Sequence, residues 1–352
     1  MQSTPFNQYR ENVGGENMVD RCREALCTLF HTTNPGRVIL CSGATEAMNM
    51  AIFGLLGGNG HVITTQKEHN AVLRPLYFLR DRGLIDLDIL PYHPHRGIDV
   101  DGLAQRIRDD TRMVAVCHAS NVTGHVQPLE EVHALCADLQ LPLLIDAAQS
   151  VGAVDFDVST LPGSVWVFTG HKALLGPPGT GGMVVGEEVA LSPWKFGGTG
   201  FRSERESMPD EWPQRLEPGT PNYPGIAGLC AGVEYLLEHG IDRLGARRTA
   251  CVETLCRYLG PSEYACHSEA AAGNPCGIVS FSLDSLSCED IGYILYHSYD
   301  IRVRTGLHCA PLIHHALGTY PDGTVRASFS CFTTTPETDS LIGALEDILS
   351  VA

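Results

Sequence analysis

The chain has 352 residues, enough for two domains or for one large α/β domain with an appendage. Hydrophobic residues make up 43% and charged residues 18%, which supports a sizeable core and excludes a disordered chain. The formal net charge of −17 opposes binding to phosphate backbones and anionic membranes, so any anionic ligand must be caught by a local pocket.

In chain order, short apolar runs rich in β-branched residues alternate with amphipathic stretches. Strands are predicted over Arg37–Cys41, His61–Thr65, Leu87–Pro91, Met113–His118, Leu143–Asp146, Val165–Thr169 and Gly182–Val185. Helices are predicted between them over Thr45–Leu56, Val72–Arg82, Val100–Arg108 and Leu129–Leu139. Strands apolar on both faces and separated by helices imply a large, mostly parallel sheet covered on both sides. After a Gly-, Pro- and charge-rich stretch, Ser192–Pro224, come two helices, Ile226–His239 and Ile241–Leu259. The remainder reads as strand Ile278–Leu283, helix Cys288–Tyr299, strands Ile301–Thr305 and Val325–Ser330, and helix Pro336–Leu349. This predicts a large domain over 1–240, its N-terminal residues packing on the small domain, and a smaller C-terminal α+β domain over 241–352.

The thirteen cysteines include no Cys-x-x-Cys pair and read as reduced, mostly buried thiols of a cytoplasmic protein. The polar start, MQSTPFNQYRENVGGEN, is not expected to be a signal peptide, and no apolar run reaches membrane-spanning length.

Candidate chemistry lies at the carboxyl ends of the strands, where ligands of open α/β sheets sit. Ser42-Gly43-Ala44-Thr45-Glu46 opens a helix whose free N–H groups attract an anion, or is an ordinary turn with Thr45 as its cap. Asp146, flanked by alanines at a strand end, needs a cationic partner or caps a turn. Lys172 follows a buried strand, where a lysine is costly unless it is solvated or covalently used. An anion-binding helix start, an acid on one strand and a lysine after the next together match what pyridoxal 5′-phosphate (PLP) requires. The helix start takes the phosphate, the acid keeps the pyridine nitrogen protonated, and the lysine forms the Schiff base. Two other motifs are set aside. Gly176-Pro177-Pro178-Gly179-Thr180-Gly181 lacks the lysine and hydroxyl of a phosphate-binding nucleotide loop and precedes a strand. His308, Cys309, His314 and His315 lack zinc-chelating spacing, so no metal is expected.

The segments SGATEAMN (42–49), EHN (68–70), ASNVTG (119–124), DAAQS (146–150), TGHK (169–172), LEPGTPN (216–222), RVRTGLHCAP (302–311) and TVRASFS (324–330) resemble the cysteine desulfurase and selenocysteine lyase branch of the class V aminotransferases, PLP-dependent enzymes of fold type I. The resemblance implies that Lys172 binds the cofactor covalently, Asp146 pairs with its ring nitrogen, and Gln149 bonds the ring hydroxyl. It implies that His69 stacks on the ring and moves protons. Ala44, Thr45, Thr169 and His171 would hold the phosphate, joined by Thr220 from a second subunit of a homodimer. Asn121 would lie by the substrate and the ring hydroxyl, with Arg326 clamping the substrate carboxylate and Arg304 nearby. Cys309 matches the sulfur-accepting cysteine, in a loop expected to swing, with His308 and Arg304 lowering its pKa.

The implied reaction converts L-cysteine to L-alanine and leaves a persulfide on Cys309, for transfer to a sulfur-acceptor protein. The alternatives are a selenocysteine lyase acting on L-selenocysteine, another C–S lyase or class V aminotransferase, and a non-catalytic relative. Relatives usually begin with a strand and an Asn-Ala-Ala-Thr-like segment that lines the substrate pocket; this sequence starts too late to contain it, so either the sequence is a truncated form or the pocket is built differently.

Overall fold

The computed structural model describes residues 17–93, 97–268 and 273–351. The polar start, and its expected packing on the small domain, lie outside the described residues. The first half runs α1 (Met18–Phe30), β1 (Val38–Cys41), α2 (Ala44–Leu56), β2 (Gly60–Thr65), α3 (Asn70–Asp81), β3 (Ile85–Leu90), α4 (Val100–Ala104), β4 (Thr111–Cys117), α5 (Glu130–Asp138), β5 (Leu143–Asp146), β6 (Ser164–Thr169) and β7 (Gly181–Val185). The second half runs α6 (Tyr223–His239), α7 (Ile241–Leu259), β8 (Ala265–Cys266), β9 (Ile278–Ser282), α8 (Cys288–Tyr299), α9 (Pro311–Leu317), β10 (Val325–Ser328) and α10 (Thr335–Val351).

Seven strands form one sheet in the order β1-β7-β6-β5-β4-β2-β3. Pairing is parallel from β3 through β6; β7 alone runs against both of its neighbours. Along β6 the side chains alternate between two cores. Val165 and Val167 face the core under α2 and α3, while Trp166 and Phe168 face the one under α1 and α6. Burial on both faces explains why these strands read as continuous apolar runs. A second, antiparallel sheet, β10-β9-β8, packs with α7, α8 and α10 around a separate core centred on Phe281 and Leu345.

Several elements differ from the sequence reading, which also places no strand at β8 and no helix at α9. Helix α1 is not anticipated, because Asp20, Arg21, Arg23 and Glu24 interrupt its apolar pattern. It starts at Asn17, whose side chain accepts from Val19 N at 3.0 Å, and packs Val19, Leu26 and Phe30 toward α6. Arg23 is buried because it pairs with Glu217 at 2.5 Å; Glu217 also accepts from Leu40 N at 2.6 Å. Helix α4 stops at Ala104, four residues short, and the chain turns so that Thr111 Oγ1 accepts from Arg108 N at 2.8 Å. The predicted strand Ile301–Thr305 makes only one bridge, Arg304 to Arg326, because the chain turns at Gly306 into residues of positive φ. That turn packs so closely on Gly323 that a Cβ there would lie 2.2 Å from the carbonyl carbon of Gly306.

Candidate active site

The parallel strands end together. Cys117 at the end of β4 is in register with Asp146 at the end of β5, and Asp146 with Val167 of β6. The start of α2 sits against the same edge. A Cβ on Gly181 would lie 2.6 Å from Gly43 Cα, so glycine permits that approach. Together these ends line a cavity of about 370 Å³. Ala44 and Thr45 bring the first turn of α2, Asp146 ends β5 and Gln149 follows it, and Thr169 ends β6 with His171 and Lys172 after it. His69, Asn121, Arg304 and Arg326 complete the wall. Two expected residues lie outside it. Thr220 lies on an exposed loop and lines a neighbouring cavity of about 260 Å³. Cys309 lines a cavity of about 450 Å³ whose wall it shares with Thr45 and His69.

Asp146 is buried, and its Oδ1 accepts from Ala148 N at 3.0 Å, which fixes the carboxylate. Burial pushes the Lys172 pKa down; Asp146 pulls it back and Arg326 adds to the depression. Lys172 is thereby biased toward the neutral amine, the nucleophilic form. His69 caps α3: its Nδ1 accepts from Ala71 N at 3.0 Å, which places the ring proton on Nε2. Burial lowers the His69 pKa against the pull of Asp146. Thr169 Oγ1 and His171 Nδ1 lie 2.9 Å apart, so these two candidate phosphate ligands orient each other.

Arg326 and Arg304 exchange backbone hydrogen bonds of 2.7 and 3.1 Å, which sets their side chains on adjoining positions. Arg326 Nη1 donates to Asn121 O at 3.0 Å, while its buried Nε has no acceptor among the described residues. Burial and repulsion from Arg304 push the Arg326 pKa down to about 10. A carboxylate at Nε would satisfy the donor and relieve the repulsion.

Two hydrogen bonds hold the backbone of the loop that carries Cys309 in this conformation. Asn121 Nδ2 donates to His308 O and Asn70 N to Cys309 O, each at 2.7 Å. His308 and Cys309 both adopt left-handed backbone, at φ 50° and 61°. The expected partnership of His308 with the thiol is corrected. His308 is buried, its Nε2 lies 2.9 Å from Thr324 Oγ1, and burial pushes its pKa down to about 3, so the ring is neutral. Arg304 Nη2 donates to Cys309 Sγ at 3.0 Å and is the cation that contacts the sulfur.

Sequence reasoning assigns no role to Glu68, although the residue stands in a recognisable motif. Glu68 is fully buried, and its Oε1 accepts from Thr65 Oγ1 at 2.7 Å and Cys117 N at 2.9 Å. Burial raises its pKa to about 8, opposed by the Thr65 bond and reinforced by Asp146. Protonated at neutral pH, it adds no second negative charge beside Asp146.

The residues present fit a pyridoxal phosphate. An anion-ready helix start, a fixed carboxylate and a buried lysine line one cavity, and a buried guanidinium N–H there still lacks an acceptor. Among the described residues no group of three metal-ligating side chains is assembled, and no helix is long and apolar enough to cross a membrane.

Residues 7–341 match the family model of the class-V aminotransferases. A cysteine desulfurase of Salmonella agona is 30% identical over 94% of this chain and 82% of its own length. Among solved structures, the cysteine desulfurase of Thermococcus onnurineus NA1 superposes with a TM-score of 0.87 at 25% identity, over 99% of this chain and 90% of that one. Another, a lysine-to-alanine variant with glycine covalently linked to its PLP cofactor, superposes with a TM-score of 0.81 at 24% identity, over 97% and 90%. The chain belongs to the class-V aminotransferase family, and its fold is that of the PLP-dependent fold type I enzymes.

Proposed function

We propose that this chain is a PLP-dependent cysteine desulfurase that converts L-cysteine to L-alanine and leaves the sulfur on Cys309. The observation that carries the reading is the wall of one cavity, where Lys172, Asp146 and His69 meet Arg326 and its open Nε donor. The relatives it resembles include cysteine desulfurases. When bound, the cofactor supplies an electron sink for the bonds at the substrate Cα and Cβ. Ala44, Thr45, Thr169 and His171 hold its phosphate, and Asp146 and Gln149 its ring. Arg326 takes the substrate carboxylate through Nε, with Asn121 beside it. Lys172, as a neutral amine, moves the Cα proton, and His69, which carries its ring proton on Nε2, donates to the reacting groups from that side. Cys309 attacks the substrate sulfur as a thiolate, with Arg304 holding its sulfur. A Cys309 S–S bond forms and the substrate C–S bond breaks.

Thr220, outside its own chain's cavity, serves the phosphate of a second copy, so the working unit is a homodimer. The division into a large domain over 1–240 and a small one over 241–352, a cytoplasmic site of action and a sulfur-acceptor protein belong to the same reading.

The test is to treat the holoenzyme with L-cysteine, alkylate it and map the peptides. One extra sulfur on the Cys309 peptide, with alanine formed, supports the desulfurase. Alanine formation by Cys309→Ala at the wild-type rate would instead make the protein a lyase that releases sulfide or selenide directly.

A further inference from the structure

A cavity of about 290 Å³ adjoins the cofactor cavity and shares Gln149, His171, Lys172 and Arg326 with it. The rest of its wall includes Arg248 of α7, Cys276, Cys331, and Ser328 and Ser330 at the end of β10. Arg248 is 2% exposed, and its hydrogen-bond partners among the described residues are neutral carbonyls. Nε donates to Pro275 O at 3.1 Å and Nη2 to Ala153 O at 3.4 Å. No carboxylate pairs with it among the described residues, and the ionisable groups that act on it are the thiols Cys276 and Cys331. Burial pushes Cys276 up to about 12, so that thiol is neutral and does not balance the charge. The second guanidinium on this wall, Arg326, has its buried Nε open. Two guanidinium groups, with Lys172 beside them, therefore border one chamber whose wall includes no carboxylate among the described residues. A buried cation without a counter-charge is costly, and an anion entering here would offset that cost.

We infer that this chamber is an anion subsite that takes the carboxylate or oxyanion of a small molecule, with Arg248 as its ligand. Because the chamber opens beside Lys172 and Arg326, the anion has two sources. It is the distal carboxylate of an S-substituted amino acid bound in the active site, or a free inorganic oxyanion. The first source rests on the desulfurase reading; the second does not.

The experiment compares a charged and an uncharged ligand of similar length. S-(2-carboxyethyl)-L-cysteine and S-butyl-L-cysteine are titrated into the holoenzyme while the cofactor's visible absorbance is followed. In parallel, the thermal midpoint is measured in millimolar sulfate against chloride of equal ionic strength. The wild-type protein is expected to bind the carboxyethyl compound about tenfold more tightly, the effect of one good charge-assisted contact. Arg248→Gln should remove that preference and Arg248→Lys should keep part of it. No preference in the wild type, with a sulfate-induced rise in midpoint that Arg248→Gln abolishes, supports the chamber and assigns it to the free oxyanion. If Arg248→Gln does not fold, Cys276→Asp places a carboxylate beside Arg248 and should abolish both effects. A holoenzyme whose absorbance responds to neither amino acid contradicts the cofactor reading, and the sulfate comparison then decides the chamber alone. Equal binding of the two ligands together with no specific sulfate effect overturns the inference. Arg248 would then serve only to staple the carbonyls of Ala153 and Pro275.

Discussion

Arg304 Nη2 lies 3.0 Å from Cys309 Sγ, five residues along the chain, and both side chains belong to a loop folded back by left-handed backbone. The pair is partly exposed, so its energy is the modest one of a solvent-screened contact. Arg304→Gln should slow alkylation of Cys309 by iodoacetamide at neutral pH by roughly threefold. Arg304→Lys should restore most of the rate, and added salt should narrow the difference. An unchanged alkylation rate in Arg304→Gln would show that the contact does not activate the thiol.

Lys172 should carry the cofactor. Borohydride reduction of the holoenzyme followed by peptide mapping is expected to place the pyridoxyl group on Lys172, and Lys172→Ala should hold no covalent cofactor. A label on another lysine would overturn the site.

Asp146→Asn should retain the cofactor and slow turnover by about 100-fold or more, the scale of removing one preorganised charge from a buried site. The amide keeps the shape of the side chain and loses the negative charge, so cofactor content measured beside rate separates the two. Turnover at the wild-type rate would reduce Asp146 to a structural acid.

Arg326→Gln should lower kcat/KM for L-cysteine by about 10- to 100-fold, because a charge-assisted contact is worth about 1.5–3 kcal/mol. Cofactor content should stay unchanged. Equal losses of cofactor and activity would move Arg326 from the substrate to the cofactor.

Acid stability should reflect the buried imidazoles. Burial holds His308 at about 3, and His118 and His314 at about 4, against an ordinary value of 6.5. Above pH 6.5 these rings are neutral whether the chain is folded or not, so they contribute no slope. As pH falls from 6.5 toward 4, the unfolded chain binds protons that the folded one refuses, and stability falls. His118→Phe should flatten this part of a denaturant-midpoint profile, since the ring sits against Phe156 and Trp166. The same slope in the variant would show that other groups set it.

The chemistry was legible in the sequence wherever a residue type was expensive in its setting. An acid and a lysine at the ends of apolar strands have few inexpensive explanations, and Asp146 and Lys172 indeed line one cavity. What stayed hidden depends on partners far along the chain. Nothing near residue 23 announces that Glu217 will neutralise its arginine, so α1 reads as too charged to pack. The neutrality of His308 follows from the burial of its ring, and a neighbouring cysteine in the sequence says nothing of where that ring points. Arg248 and Cys276 line one cavity with Lys172, far apart from it in sequence, and only the folded chain brings them there.

The carboxylate of Glu217 grips Arg23 on the first helix and Leu40 N on the first strand, three residues before Thr220. On the proposed dimer, Thr220 serves the neighbour. The integrity of one subunit's opening helix would then be registered in the other subunit's active site. A chain damaged at residue 23 could keep its own cavity intact and still impair a sound partner, so that in a mixed population the defect would spread by association.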